Sequence, residues 1–241
     1  IEGPLFRQES VSVWDESRGC SVHDGVPAND IPVLLTQWLN LLHNEAIPPL
    51  LRAVMCHYAF ETIHPFYDGN GRTGRFLLAL QLSKTLSVPA AISISPVIAD
   101  AKRRYYKIFE DAQFPLNCSD ISLFCCQMLE FVAMAQRNVI SDLGEKRADL
   151  TAAEHRLQAY IKDQSISQSQ QDILYLLIQK KLFDTMPRPA TRKFLCSHLG
   201  CGERKVTVAL EALNRRGLLA IIGQRPIRYS LSDKATRMLL G

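Results

Sequence analysis

Residues 64–75 read His-Pro-Phe-Tyr-Asp-Gly-Asn-Gly-Arg-Thr-Gly-Arg, and this stretch connects two helical patterns. The first pattern predicts a helix from about residue 50 to residue 63, which ends there because the residue before a proline rarely stays helical. The helical period returns from Arg72. The stretch is therefore predicted to lead into a helix N-terminus, where free N–H groups and the positive end of the helix dipole attract anions.

The side chains of this stretch indicate a site for phosphate. Gly69 and Gly71 allow the backbone to approach an anion closely, and Asn70 adds an amide donor. Arg72 and Arg75 lie three residues apart in the first helical turn, so both can reach phosphate oxygens. Two cationic side chains at a helix N-terminus are disfavoured by the helix dipole unless an anion is present.

Two further side chains of the same stretch supply chemistry. Asp68 is a hard oxygen ligand suited to a Mg²⁺ ion that arrives with a nucleotide. His64 is a candidate base, because histidine titrates near physiological pH. Alone, a histidine here is more often a helix cap and Asp-Gly more often a turn. The combination with the anion site favours a nucleotide-dependent reaction.

The fold class predicted for the first part of the chain is mainly α. A β-hairpin is expected within residues 5–27, where Val11 and Val13 alternate with polar residues ahead of a turn. Helices are predicted between residues 30 and 48, over 50–63, from 72 to 82, over 101–112 and over 121–140.

The C-terminal part of the chain differs in charge. Residues 171–241 hold 13 Lys or Arg and 5 Asp or Glu, a net charge of +8, whereas the remainder carries −4. Such segregation indicates two domains, the second of which faces an anionic partner. We therefore predict one domain over residues 1–140, a helical or flexible linker over 141–170, and a second domain over 171–241.

The second domain has the element order of a winged helix-turn-helix, with three short amphipathic helices followed by two strands. The helices are expected over residues 172–182, 191–199 and 203–216, and the strands over 218–222 and 227–231. The basic residues of the third helix and the wing are Arg204, Lys205, Arg215, Arg216, Arg225 and Arg228. They suit the phosphates of duplex DNA, but such domains also serve in dimerisation and protein docking, and both roles stay open.

Composition excludes several other classes of protein. The chain is 47% hydrophobic and 22% charged, which is ordinary for a globular protein, and no apolar run approaches the ~18 residues of a membrane span. No signal peptide is visible at the N-terminus, so we expect a cytoplasmic protein without membrane association. The seven cysteines are odd in number and lack C-x-x-C spacing, which predicts neither a disulfide framework nor a zinc site.

Residues 64–75 resemble the signature of the Fic-domain family, His-x-Phe-x-(Asp/Glu)-Gly-Asn-Gly-Arg-x-x-Arg, at every specified position. Residues 57–63 resemble the helix that leads into that signature, and Tyr105 and Tyr106 resemble a tyrosine pair downstream. The resemblance covers about residues 5–140 and implies a Fic-type helical core with a small hairpin. It also implies an enzyme that transfers AMP from ATP to a hydroxyl of a target protein and releases pyrophosphate.

The resemblance implies a role for each matching residue. His64 would deprotonate a Ser, Thr or Tyr hydroxyl of the target, and Asp68 would hold Mg²⁺. The implied nucleotide-binding residues are Asp68, Gly69, Asn70, Gly71, Arg72, Thr73, Gly74, Arg75, Tyr105 and Tyr106. The target chain would add a strand to a hairpin flap at Arg18, Gly19, Cys20, Ser21 and Val22. Glu2 resembles the glutamate of an inhibitory motif that pairs with Arg75.

Some positions depart from the family pattern. Gln113 stands where an Asn near the ribose or adenine is common, and Val26-Pro27 replaces a Pro-Pro pair. Gly71 stands where phosphorylating relatives carry Lys, which argues against a kinase-like reaction. The alternatives are removal of AMP or transfer of another nucleotide by the same site, and a DNA-binding regulator that senses nucleotide. The expected partners are ATP and a target protein, with DNA at residues 171–241 and a second copy of the chain as further candidates.

Overall fold

A computed structural model describes residues 5–15, 20–184 and 188–241, and for residues 13–15 and 20–23 it describes the backbone. The chain divides into two units, Ile1–Ile140 and Ser141–Gly241. Within the described residues, no helix is long and apolar enough to cross a membrane. Each unit has its own hydrophobic core.

The first unit consists of a hairpin followed by helices. Strands β1 (Ser12–Asp15) and β2 (Cys20–Asp24) pair antiparallel. The helices are α1 (Ile31–Leu42), α2 (Pro49–Ile63), α3 (Asn70–Leu82), α4 (Val88–Ile92), α5 (Ile94–Asp100), α6 (Lys102–Gln113) and α7 (Ser122–Asp163) up to residue 140. The predicted mainly helical class with a small hairpin is confirmed.

Helices α4 and α5 were not predicted from the sequence. They have only 5 and 7 residues, too few to show a helical period, and each contains a proline. Pro89 and Pro96 lie within the first turns, where a proline removes no intrahelical hydrogen bond.

Packing between α2 and α3 positions the loop that connects them. Val54 of α2 and Leu78 of α3 are almost fully buried, together with Phe124, Met128 and Phe131 of α7. Burial of each such side chain contributes about 1.5–3 kcal/mol. The facing ends of α2 and α3 are therefore held by the core, and residues 64–69 bridge them over a short path.

The second unit combines helices with a three-stranded antiparallel sheet. Its elements are α7 from residue 141, α8 (Gln168–Phe183), β3 (Ala190–Thr191), α9 (Arg192–Leu199), α10 (Glu203–Arg215), β4 (Leu219–Ile222), β5 (Arg228–Leu231) and α11 (Asp233–Leu239). The strand order is β3-β5-β4. Residues 141–163, in the predicted linker, are helical and contribute Ala153 and Leu157 to the second core.

Candidate active site

The loop between α2 and α3 is held by its own side chains. Asn70 is 2% exposed; its Nδ2 donates to the Phe66 carbonyl at 2.7 Å, and its Oδ1 accepts from the Phe66 N–H at 2.9 Å. One N–H of the Asn70 amide is thus engaged within the loop, and the predicted role of this amide as a phosphate donor stays a prediction. Gly69 precedes α3 with a φ of 85°, a left-handed conformation that favours glycine.

A cavity of about 290 Å³ lies at this loop. The predicted residues in its lining are His64, Asp68, Gly69, Asn70, Gly71, Arg75, Tyr105 and Tyr106. Residues of α6 add aromatic surface, while the loop contributes charged groups and the N-terminal N–H groups of α3. This combination suits a ligand that has both an aromatic base and an anionic tail.

Three of the predicted nucleotide-binding residues, Arg72, Thr73 and Gly74, lie outside that lining. Arg72 donates from Nη2 to Asp68 Oδ2 at 3.0 Å, and the two side chains are 75% and 90% exposed. An ion pair this exposed contributes at most about 1 kcal/mol, so replacing it with contacts to a ligand costs little. The Thr73 N–H donates to the Gly69 carbonyl at 2.9 Å, which closes the first turn of α3, and Gly74 is buried.

Behind Arg75 lies a buried polar pair that links α6 to α2. The Tyr105 hydroxyl is 2.8 Å from His57 Nε2, and the two residues are 3% and 2% exposed. Burial lowers the pKa of His57 to about 4, so its ring is neutral and can accept from that hydroxyl. Burial and then Glu61 raise the pKa of Tyr105 well above its ordinary value, while Arg75, a donor to the same oxygen, opposes the shift.

Glu61 also lines the cavity, and it was not predicted. Burial raises the pKa of its carboxyl from 4.5 to about 7, and the Arg75 charge opposes that rise. Its Oε1 is buried without a hydrogen-bond partner among the described residues. A Cβ at Gly74 would lie 2.1 Å from this Oε1, so only glycine leaves room for the carboxyl. Gly74 thus has a packing role, and its predicted nucleotide contact stays a prediction.

The predicted flap is described in part. Glu2, Arg18 and Gly19 lie outside the described residues. Cys20 and Ser21 pair through the backbone with β1, opposite Asp15 and Trp14. The backbone of Val22 continues β2. Binding of a target strand to this hairpin, and inhibition by Glu2, stay predictions.

Several cavity residues were missed by sequence reasoning. They are Val11, Ser12, Glu61, Tyr67, Phe109 and Glu110; Gln113, noted as a departure, also lines the cavity. A signal for Glu61 was present, because His57 and Glu61 are four residues apart on α2 and so share a face. Tyr67 lies within residues 64–75 themselves, whereas the remaining ones carry no local signal, since they reach the cavity through packing of α6 and the hairpin.

Comparison with known proteins supports the family assignment of the first unit. Residues 4–82 match the model of the Fic/DOC family. A protein adenylyltransferase Fic of Drosophila yakuba is 37% identical over 153 residues, which cover 62% of this chain and 25% of that protein. The homologue of Drosophila virilis is 37% identical over 95 residues, which cover 38% of this chain and 18% of that protein. Residues 4–82 therefore form a Fic/DOC family domain, as the resemblance of the loop predicts.

A solved structure shares the fold. The crystal structure of a Fic family protein from Desulfovibrio desulfuricans G20 matches with a TM-score of 0.54 and 22% identity, covering 95% of this chain and 62% of that one. This chain spans only a quarter or less of the length of the two Drosophila proteins.

Proposed function

We propose that the first unit transfers AMP from ATP to a hydroxyl of a target protein. The observation that carries the proposal is the joint presence of His64, Arg75 and the N-terminus of α3 in one cavity with aromatic residues of α6. The similar proteins of Drosophila are named protein adenylyltransferases, which supports the same reaction here.

The cavity suggests where each part of ATP binds. The phosphates would lie against the N–H groups at the N-terminus of α3 and the Arg75 guanidinium, where the helix dipole and the cationic side chain both favour negative charge. The adenine would lie against Tyr106, which is 43% exposed, and Phe109.

In the proposed step, the hydroxyl oxygen of the target attacks the α-phosphorus of ATP. The bond from that phosphorus to the oxygen bridging to the β-phosphate breaks, and pyrophosphate leaves with the electron pair. The hydroxyl proton passes to the His64 ring, which lines the cavity. Positive charge from Arg75 and the α3 N–H groups stabilises the charge that develops on the phosphates.

The residues present fit a magnesium ion that arrives with the nucleotide. The described residues contain no group of three His, Cys, Asp or Glu that could hold a metal by themselves. Asp68 offers an exposed carboxylate beside the loop N–H groups, and Mg²⁺ often binds one carboxylate together with substrate phosphates. When bound, the ion would neutralise phosphate charge.

ATP labelled at the α-phosphate tests the proposal. We expect label and the mass of one AMP on a hydroxyl of a target protein, and no label from γ-labelled ATP. His64→Ala should abolish transfer and leave ATP affinity within about threefold, because the base acts on the hydroxyl. Undiminished transfer by that variant contradicts the assignment, and loss of AMP from a premodified protein would instead support the reverse reaction.

A second proposal concerns the other unit, which we propose is a winged helix-turn-helix that binds duplex DNA. Helix α10 exposes Arg204 and Lys205 in its first turn, and the β4–β5 connection and β5 expose Arg225 and Arg228. In helix-turn-helix proteins the N-terminal residues of the recognition helix enter the major groove.

The structure changes which arginines are candidates for DNA contact. The Arg216 guanidinium donates to Gln164 Oε1 at 3.2 Å and to the Ser165 carbonyl at 2.8 Å, so it is engaged within the unit. Fluorescence anisotropy with a labelled duplex tests the proposal. Arg204→Ala/Lys205→Ala should reduce the slope of log affinity against log salt by about 2, whereas Arg216→Ala should keep it. Absence of binding at ~50 mM salt would favour a docking or dimerisation role.

A further inference from the structure

Arg7 is completely buried, and its guanidinium donates to four backbone carbonyls. Nε donates to the carbonyl of His64 at 2.7 Å, and Nη1 donates to that of Glu9 at 2.8 Å. Nη2 donates to the carbonyls of Val26 and, at 3.3 Å, Ile63. One side chain therefore joins the N-terminal segment, the segment that follows β2 and the end of α2.

The carbonyls at the end of α2 make this burial of a charge tolerable. A buried cation without compensation is costly. The last carbonyls of a helix lack intrahelical donors and carry the negative end of its dipole. Ile63 and His64 supply two of these carbonyls, so Arg7 acts as a cationic cap for α2.

The left-handed backbone conformation of His64 must be stabilised by neighbouring groups. His64 has a φ of 52°, in the left-handed region, which costs a residue with a Cβ roughly 1–2 kcal/mol. Such a conformation persists only where its surroundings over-determine it. Besides its side-chain bonds to residues 63 and 64, Arg7 donates its backbone N–H to the Pro65 carbonyl at 3.0 Å. Three successive carbonyls around His64 are thus held by one residue.

The same residue joins the hairpin to His64. Gly25 follows β2 directly and donates its N–H to the Val11 carbonyl at 2.9 Å. A Cβ at Gly25 would lie 2.6 Å from Arg7 Nη2 and 3.3 Å from His64 Cβ. The backbone at Gly25 is therefore closely packed against both the Arg7 guanidinium and the His64 side chain.

We propose that Arg7 is a positioning residue that fixes the backbone of His64 and the adjoining end of the hairpin in one arrangement. Arg7 does not line the cavity, so it acts through His64 rather than on the nucleotide. The inference rests on the proposed AMP transfer, in which His64 is the base.

Arg7→Lys tests the inference because it keeps the positive charge and removes the planar set of donors. We expect kcat for AMP transfer to fall about 10- to 100-fold, since a misplaced base is costly. The affinity for ATP, from calorimetry, should change less than about threefold. Hydrogen exchange should quicken in the peptide that contains His64, whose N–H donates to the Phe60 carbonyl at 3.1 Å.

Gly25→Ala perturbs the same contact while Arg7 is kept. Its added methyl should displace the guanidinium and lower kcat, by less than Arg7→Lys does, while the affinity for ATP stays nearly unchanged. Gly144→Ala is the matched control, because a Cβ there meets nothing within 4 Å. Arg52→Lys is the control for loss of an arginine in general, because the Arg52 guanidinium donates to the Asn44 carbonyl, away from His64.

The outcomes separate the inference from the proposed function. Unchanged kcat and unchanged exchange in a folded Arg7→Lys variant overturn the positioning role. So does a parallel loss of kcat, ATP affinity and melting temperature, which would indicate a general fold residue. If the unaltered protein transfers no AMP, the proposed function fails. Hydrogen exchange at His64 and ATP titration then still decide whether Arg7 holds this backbone, with accelerated exchange supporting it and unchanged exchange overturning it.

Discussion

The Tyr105 hydroxyl lies 2.8 Å from Nε2 of His57, and this contact joins α6 to α2 in the interior of the first unit. Tyr105, predicted as a nucleotide-binding residue, is in the cavity lining, but its ring is almost fully buried and its hydroxyl faces His57 and Arg75. The neighbouring Tyr106 is the more exposed of the pair. We therefore expect Tyr105 to support Arg75 from the interior of the unit.

Tyr105→Phe tests this role. The change leaves the buried Nε2 of His57 without its donor, which should lower the free energy of unfolding by about 1–3 kcal/mol. It also removes the acceptor that faces Arg75, so we expect the Kd for ATP to rise severalfold. Urea unfolding and calorimetry measure the two effects. Tyr106→Phe serves as the stability control and should stay within about 0.5 kcal/mol; equal losses in both variants would contradict the role.

Glu61 should make stability depend on pH. Its pKa rises from 4.5 to about 7 on folding, so the folded state holds the proton more tightly. The stabilisation by that proton is complete below pH 4.5 and is lost as pH rises through 7. Relative to Glu61→Gln, the unaltered protein should lose up to about 3 kcal/mol between these limits. Urea unfolding of both proteins at several pH values measures the difference.

His57 supplies a dependence of opposite sign. Its pKa falls from 6.5 to about 4 on folding, so stability is gained as pH rises from 4 to 6.5. The two groups offset each other in much of this window, and the unaltered protein alone would hide both effects. The difference between Glu61→Gln and the unaltered protein isolates the carboxyl. A constant difference across pH 4.5–8 would show that Glu61 keeps its ordinary pKa.

Gly74→Ala should strain the same carboxyl. The new Cβ would lie 2.1 Å from Glu61 Oε1 and 3.2 Å from Phe60 Cδ1. Overpacking of this kind costs about 1–3 kcal/mol of unfolding free energy. In a Glu61→Ala background most of that cost should disappear, because the obstructing group is gone. A double-mutant cycle measures the coupling, and additive effects would mean that the two residues do not meet.

Asp68→Asn should separate activity from stability. Asparagine keeps an acceptor for the Gly69 N–H, which donates to Asp68 Oδ1 at 2.6 Å, and the exposed pair with Arg72 contributes little. We expect unfolding free energy within about 0.5 kcal/mol and a transfer rate at least about tenfold lower at limiting Mg²⁺. Asp111→Asn removes a comparable pair with Lys107 and should leave transfer unchanged. Equal Mg²⁺ dependence in all three proteins would leave Asp68 as a turn residue.

The sequence by itself determined the loop between α2 and α3 and its resemblance to the Fic family, which agrees with the Fic/DOC match over residues 4–82. These features are local, because residues 64–75 are consecutive and proline, glycine and the helix N-terminus act over a few residues. Helices of more than ten residues were also predicted, since each spans several helical periods, although α7 was predicted only as far as residue 140.

Tertiary structure alone decided which distant side chains pack beneath that loop and hold it. His57 and Tyr105 are 48 residues apart in the chain, and Arg7 and His64 are 57 apart. Their contacts follow from the packing of α2 against α6 and of the N-terminal segment against the end of α2. In the sequence Arg7 resembles any surface arginine. Its burial depends on carbonyl groups that come together only when α2 ends at His64 and the chain returns past Val26.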